Sequence, residues 1–324
     1  MTEFVDGDAA IVLIGAAGLD FLVGDPWHWP HPVQGMGWLI QRYTNLAFKT
    51  TQSATVMKGL GVLLSVLLVG GSAVVGWGMV AIARWFHPSL GLGLEVILVA
   101  SCFAGRSLRD AAEDVLVPLL QEDLAEARQR LSRYVGRDTQ NLDKPEILRA
   151  VFETVAENSV DGIMGPLFYA LVGAATPLGS ASLALAYKAA STLDSMVGYR
   201  AAPYTDIGWF SAQFEDRLTW LPCRLTMLTL ALISGQPRRV LTLCQRDADA
   251  DPSPNSGWSE CAYAASLGVQ VGGENAYKGV VKVKPLMGDA VQEITPEVIR
   301  DCLRLNRFCF LLWLGIGLSI SQIW

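Results

Sequence analysis

No Lys/Arg-rich tract with interleaved aromatics occurs in this chain, and a net charge of −6 argues against nucleic acid as a partner. The six cysteines contain no CxxC pair, so neither a zinc knuckle nor a disulfide framework is indicated, and they read as reduced structural residues. A GxxxxGK[ST] loop is missing, which removes the Walker type of phosphate cradle. Internal repeats and low-complexity tracts are absent too. The chain opens on Glu3, Asp6 and Asp8, with no basic n-region and no small-residue cleavage site. Residues 9–23 therefore read as a retained helix and not as a signal peptide.

Charge itself is missing over long distances. None lies between Lys58 and Arg84, a stretch long enough to cross a hydrocarbon core of ~30 Å as a helix. With 51% apolar residues in 324 and a mean hydropathy of +0.33, lipid is part of the solvent this sequence is written for. The expectation is an all-α polytopic membrane protein, one integral domain over residues 1–324, with transmembrane and re-entrant helices and helical cytoplasmic segments. Spans are placed near residues 9–23 (interrupted by Asp20), 60–83, 90–105 (carrying Glu95), 163–187, 220–235 and 308–324. The fourth is broken by Thr176, Pro177, Leu178 and Gly179, so it is either one kinked span or two half-helices that enter and leave on the same side. The fifth is short, as a re-entrant or protein-buried helix is.

Polar segments occupy residues 24–57, 106–161 and 188–307. The second holds Arg106, Arg109, Arg128, Arg130, Arg133, Arg137, Lys144 and Arg149, which by the positive-inside rule places it in the cytoplasm. Leu116, Leu119, Leu120, Leu124, Ala127 and Leu131 recur at helical spacing on one apolar face. Pro145 fits the first turn of a helix running over 146–158.

On that helix Arg149, Glu153 and Glu157 form one stripe, with Asn158 and Asp161 just beyond. Such a stripe is either a solvated face with ordinary i,i+4 pairing or a set of oxygen ligands for Mg²⁺ beside a phosphate chain. Lys188, Ser191, Thr192, Ser195 and Tyr199 share helical spacing after an uncharged span, with Asp194 on another flank and Arg200 following. Hydroxyls there either serve a ligand or bond back to their own helix, while Lys188 snorkels. Arg106 and Arg109, with Gly136, Arg137 and Asp138 later, suit a phosphate or carboxylate equally well as they suit a topogenic role. A further group joins residues 251–258, including Asn255, to Gly272, Gly273 and Lys278. His28 and His31 flank Trp29-Pro30 without a third metal ligand nearby.

Taken in order, these segments resemble the adenosylcobinamide-phosphate synthases of cobalamin biosynthesis. The likeness rests on Gly24-Asp-Pro, His31-Pro-Val and Met36-Gly; on Arg106-Ser-Leu, Val135-Gly-Arg-Asp-Thr and Leu142-Asp; and on Glu153-Thr-Val-Ala-Glu-Asn with Asp161-Gly and Pro166-Leu-Phe-Tyr. It continues through Tyr187-Lys-Ala, Thr192-Leu-Asp-Ser-Met-Val-Gly-Tyr, residues 251–258, Leu267-Gly-Val-Gln and Gly272-Gly. Ser191 departs from an expected Asn, and Glu215-Asp216 from a paired Asp.

The resemblance implies a membrane-bound ligase that joins (R)-1-aminopropan-2-ol, or its O-phosphate, to the free carboxylate of adenosylcobyric acid, with ATP consumed through an acyl phosphate. Mg²⁺ is then expected on Glu153, Glu157 and Asp161. Catalytic roles fall to Glu153, Glu157, Lys188 and Asp194, with Asp138 as base toward the amine. Substrate and phosphate contacts fall to Arg106, Arg137, Asn158, Thr192, Ser195, Tyr199, Arg200, Asn255 and His31. Trp27, Trp29 and Trp38 are candidates to stack on the corrin ring or to form an aromatic belt. Expected partners are the corrinoid and amine substrates, the bilayer of the cell membrane and other late corrinoid-pathway enzymes, with the active site facing the cytoplasm. The competing classes are a transporter, which the broken helices and Glu95 and Asp20 would serve, and a non-catalytic membrane scaffold.

Overall fold

The computed structural model describes residues 3–25 and 31–321, so His28, Trp27 and Trp29 lie outside the described residues. In chain order the helices are α1 (Glu3–Leu22), α2 (Pro32–Thr50), α3 (Ala54–Phe86), α4 (Pro88–Ala100), α5 (Gly105–Leu120), α6 (Leu124–Leu131), α7 (Lys144–Ser159), α8 (Gly165–Ala174), α9 (Ser180–Val197), α10 (Trp209–Ile233), α11 (Pro237–Asp247), α12 (Ser256–Leu267) and α13 (Pro296–Ser321). A π-helical turn, Val160–Met164, joins α7 to α8, and a short 3₁₀ turn follows α11. One antiparallel hairpin, β1 (Val271–Tyr277) and β2 (Val280–Met287), is added to the helical architecture expected. Among the described residues, three helical stretches are long and apolar enough to cross a membrane: Ala54–Phe86, Pro88–Leu120 and Pro296–Ser319. The protein is an all-α polytopic membrane fold.

Its residues gather into two compact units. The first comprises Met1–Ala104, Gly165–Thr219 and Trp313–Trp324. Here α3 approaches its neighbours through small residues: a Cβ on Gly76 would lie 2.7 Å from Leu185 Cδ1 of α9, and one on Gly61 only 2.0 Å from the Ile207 carbonyl oxygen. The outward side of α3 exposes Val66, Leu67, Val74, Val75 and Ile82, a surface that lipid accommodates and water does not. The segment 163–187 is divided by a turn at 175–179 into α8 and α9, which pack on each other. Glu95, buried, accepts from the Ser180 amide at 3.0 Å and from Arg84 Nη2 at 2.9 Å, so the charge sitting among apolar helices is partnered.

The second unit comprises Gly105–Met164 and Trp220–Leu312. The leucine periodicity that crosses 116–131 on paper is cut in space between α5 and α6. Glu122 takes a left-handed φ of +62°, and the Asp123 side chain accepts the Glu126 amide at 3.0 Å, starting a new helix. At the head of α7 the capping is reciprocal: Asp143 Oδ1 accepts the Glu146 amide at 2.9 Å while Glu146 Oε2 accepts the Asp143 amide at 2.8 Å, with Pro145 in the first turn. Buried Ile147, Val151, Phe152 and Val155 anchor α7, each contributing ~1.5–3 kcal/mol on burial. That anchoring fixes which way its acidic stripe faces.

Candidate functional site

In the second unit the stripe on α7 meets the hairpin and α12. Gly272 and Gly273 sit at φ +93° and +94°, at a register irregularity of β1. A Cβ on Gly272 would fall 2.0 Å from the Pro285 carbonyl oxygen, so only glycine fits. The bulge turns the Gly272 amide to Glu153 Oε1 at 2.9 Å and offers the Gly272 carbonyl to Arg149 Nη1. Arg149 Nη2 also donates to the Glu274 carbonyl at 2.8 Å. Arg137 completes the arrangement, donating from Nη2 to Glu153 Oε2 and from Nη1 to Asn275 Oδ1 at 2.7 Å. Glu153 is thus a buried carboxylate bound by one guanidinium, one amide and, at 3.8 Å, a second guanidinium.

One turn further along α7, Glu157 faces a second set. Lys284 of β2 donates to Glu260 Oε1 of α12 at 2.5 Å and lies 3.5 Å from Asp251 Oδ2. Glu260 is fully buried, and its Oε2 has no hydrogen-bond partner among the described residues; the same is true of Asp251 Oδ2. Solvent reaches Glu157. Even so, burial by the protein around it is the largest influence on its carboxyl and, with Asp251 and Glu153 nearby, raises its pKa against the opposing pull of Lys284 and Arg137. Burial also holds the Glu260 carboxyl well above the ordinary range. For Lys284, burial acts downward, but Glu260, Glu157 and Asp251 outweigh it and raise the ammonium pKa.

The other predicted residues of this unit are dispersed around that centre. Asp138 accepts the Lys278 amide at 3.0 Å and the Gly279 amide at 2.7 Å, fastening the hairpin turn with both carboxylate oxygens. Arg106 pairs with Asp110 at 3.2 Å near the start of α5, and Asn158 Nδ2 donates to the Thr154 carbonyl at 2.8 Å. Asp161 lies in the π-helical turn, a form of helix often found at functional sites. Asn255 is buried; its Oδ1 accepts from Arg224 at 3.4 Å, and Arg224 stacks over Trp258 and Trp220 at 4.3 and 5.3 Å. Among the described residues no three His, Cys, Asp or Glu side chains converge as a metal-holding group.

In the first unit, Thr192, Ser195 and Tyr199 donate to the carbonyls of Lys188, Ser191 and Ser195 at 2.7, 2.9 and 2.9 Å, so these hydroxyls bond back to their own segment. Lys188 is half-buried on α9, whereas Arg200 is exposed beyond its end. Asp194 packs under Gly198, where a Cβ would lie 1.9 Å from its Oδ1. His31 caps α2, its Nδ1 accepting the Val33 amide at 3.2 Å and its Nε2 lying 3.1 Å from Asp25 Oδ1. Asp25 and Lys188 both act electrostatically on Cys102, which brings the His31 and Lys188 motifs into one region of this unit.

Sequence reasoning missed Glu260 and Lys284. The available signal was an acid inside the otherwise small and apolar α12 and a Lys-x-Lys alternation on β2.

Comparison with known proteins gives consistent answers. The family model described as CobD/Cbib protein matches residues 13–306. "Cobalamin biosynthesis protein CobD" of Synechocystis sp. is 50% identical over 313 residues, covering 96% of this chain and 92% of the relative. "Cobalamin biosynthesis protein CbiB" of Salmonella typhimurium is 42% identical over 309 residues, covering 94% and 93%. "Cobalamin biosynthesis protein CobD" of Citrobacter koseri is 40% identical over 307 residues, covering 94% and 92%. No solved structure matches.

Proposed function

The chain belongs to the CobD/CbiB family of cobalamin biosynthesis proteins, and from that premise we propose that it is an ATP-dependent carboxylate–amine ligase. Its acid substrate is the free carboxylate of adenosylcobyric acid, and its amine is (R)-1-aminopropan-2-ol or the O-phosphate. The observation that supports this reading is the ionic cluster of the second unit, with solvent-exposed Glu157 beside it.

A carboxylate does not condense with an amine in water at useful rates. In the proposed reaction a substrate carboxylate oxygen attacks the γ-phosphorus of ATP, ADP leaves, and the acyl phosphate is attacked by the amine nitrogen. The C–O bond to phosphate breaks, an amide forms, and the nitrogen's surplus protons pass to phosphate and to a protein base. Mg²⁺ is the charge-neutralising companion of ATP in such chemistry and needs only one or two protein carboxylates beside the phosphates. Solvent-exposed Glu157 suits that demand, with Asp161 four residues on in the π-helical turn, and Glu153 is engaged by two arginines and an amide. We assign Glu153 to holding Arg137 and Arg149 in place. Arg106 and Arg137 of the same unit are the phosphate contacts carried from the sequence, with the site at the cell membrane facing the cytoplasm.

The test is a direct assay of detergent-purified protein with adenosylcobyric acid, ATP, Mg²⁺ and either amine donor, following corrinoid mass together with released phosphate. An amide-linked corrinoid with matching phosphate is expected, and its loss is expected in Glu157→Gln and Lys188→Ala proteins that remain folded. A folded wild-type protein that yields no corrinoid product with either donor would overturn the ligase and favour a scaffold or transporter.

A further inference from the structure

Helix α2 has a composition that its packing inside the first unit does not use. It carries Arg42 and Lys49 and no acidic residue at all. Met36, Ile40, Thr44 and Ala47 are its buried side, and Gly37 packs near Met196 of α9. Opposite them Trp38, Arg42, Asn45 and Lys49 recur at intervals of 4, 3 and 4, a single stripe one helix long. Trp38 is 61% exposed and Leu46 65%, with Leu39 exposed alongside. The Arg42 guanidinium stands 6.0 Å from the Trp38 ring centroid, and among the described residues neither Arg42 nor Lys49 has an acidic partner. These side chains line a shallow groove along the helix.

Position supplies the rest. Only residues 51–53 separate α2 from α3, the stretch Ala54–Phe86 that is long and apolar enough to cross a membrane. A helix so placed, with an aromatic, two leucines and two uncompensated cations outward, has the make-up of a segment lying in the headgroup layer beside the end of a span. The apolar side chains enter the acyl boundary, and the cations remain in the headgroup layer.

We propose that the outward stripe of α2, centred on Arg42 and Lys49, binds the phosphate of anionic phospholipid headgroups. The absence of any acid on α2 selects an anionic headgroup over a zwitterionic one, whose ammonium would meet the same two cations. The inference is independent of the ligase reading.

The experiment uses the full chain in detergent. A thiol-reactive dye reports thermal exposure of the cysteines, all of which are buried in the fold. Phosphatidylglycerol, phosphatidylcholine and inorganic phosphate are titrated separately. Phosphatidylglycerol is expected to raise the midpoint, more at low salt than at high, while the other two leave it unchanged. Arg42→Gln/Lys49→Gln is expected to weaken the apparent phosphatidylglycerol affinity about 30-fold, and Arg42→Lys/Lys49→Arg to retain it. Both pairs are on the surface and leave the core untouched. Equal stabilisation by phosphatidylcholine, or full affinity in the double Gln protein, would overturn the proposal. So would a midpoint that responds to inorganic phosphate alone through these residues, which would mark a soluble phosphate ligand. Self-association lost in the double Gln protein with no change in lipid response would assign the stripe to a second copy of this chain instead.

Discussion

Replacing Lys284 by Met is the sharpest test of the ionic cluster. The substitution keeps the length of the side chain and removes the one ammonium that lies 2.5 Å from Glu260 and 3.5 Å from Asp251. Glu260 is fully buried and one of its oxygens already lacks a hydrogen-bond partner among the described residues, so the other would be stranded as well. Breaking a buried pair from one side costs about 3–5 kcal/mol. The cost has a definite pH dependence. Burial holds the Glu260 carboxyl well above its ordinary value even with Lys284 opposing, and loss of the ammonium pushes it further. A carboxyl whose folded pKa is raised favours the fold in its protonated form; that contribution is complete below the unfolded value and is lost as pH rises through the folded one. Lys284→Met should therefore be most destabilised near pH 8 and recover towards pH 5, and Lys284→Met/Glu260→Leu should regain most of the loss at both. Thiol labelling of Cys244, Cys261 and Cys302, all buried in this unit, measures the opening equilibrium at each pH. A single variant as stable as wild type at pH 8, or a deficit indifferent to pH, would refute the argument.

Asp138→Ala removes the acceptor of two turn amides and should cost about 1.5–3 kcal/mol in the same labelling assay. Asp138→Asn should keep turnover in the corrinoid assay, and its loss in a folded Asn protein would instead assign Asp138 the role of base. Gly272→Ala should disrupt the bulge, and with it both the Glu153 and Arg149 contacts, showing as lost turnover and faster labelling. By contrast Gly279→Ala, at φ +78° in open space, should cost only about 1–2 kcal/mol, read from the same opening equilibrium. Gly61→Val should fail to accumulate in the membrane fraction, because its Cβ would stand 2.0 Å from the Ile207 carbonyl.

Local features were legible wherever the physics was local. The charge-free run before Arg84 becomes α3, Pro145 opens α7, and the interruption at 176–179 separates α8 from α9. Each rests on neighbouring residues: apolar continuity, a missing N–H, a turn. The break between α5 and α6 was missed because leucine spacing carries no information about Glu122 adopting a positive φ or about Asp123 recruiting an amide. Start and length of α10 were likewise hidden, since charged Glu215, Asp216 and Arg217 sit within its first turns and mask a helix that begins at Trp209. The ionic cluster draws Arg137, Glu153, Asp251, Glu260 and Lys284 from segments far apart in the chain, and no period in the sequence links them. The stripe Arg149–Glu153–Glu157 was visible, but its division of labour was not. Whether a carboxylate is engaged or open depends on what the hairpin brings to it, and the Gly272-Gly273 bulge that does so looks on paper like an ordinary turn.

That division of labour leads to a prediction in which stability and function part company. Four carboxylates, those of Glu153, Glu157, Asp251 and Glu260, meet three cations, Arg137, Arg149 and Lys284. The arginines serve Glu153, and Lys284 lies against Glu260 and Asp251, so the uncompensated charge falls on Glu157. Its raised pKa expresses that position: burial first, then repulsion from Asp251 and Glu153. Because ionised Glu157 is disfavoured in the fold, its contribution to stability declines as pH rises above the ordinary glutamate value. Glu157→Gln removes the repelled charge while keeping the shape, so the variant should match wild type near pH 4, exceed it in stability by pH 8, and make no amide product. A group retained at a cost in stability is what a site that must meet a cationic reactant requires. Thermal midpoints at the two pH values, measured beside turnover, decide the matter. A Gln protein less stable than wild type at pH 8 would mean that Glu157 holds the fold together, and its place at the centre of the proposed chemistry would have to be given up.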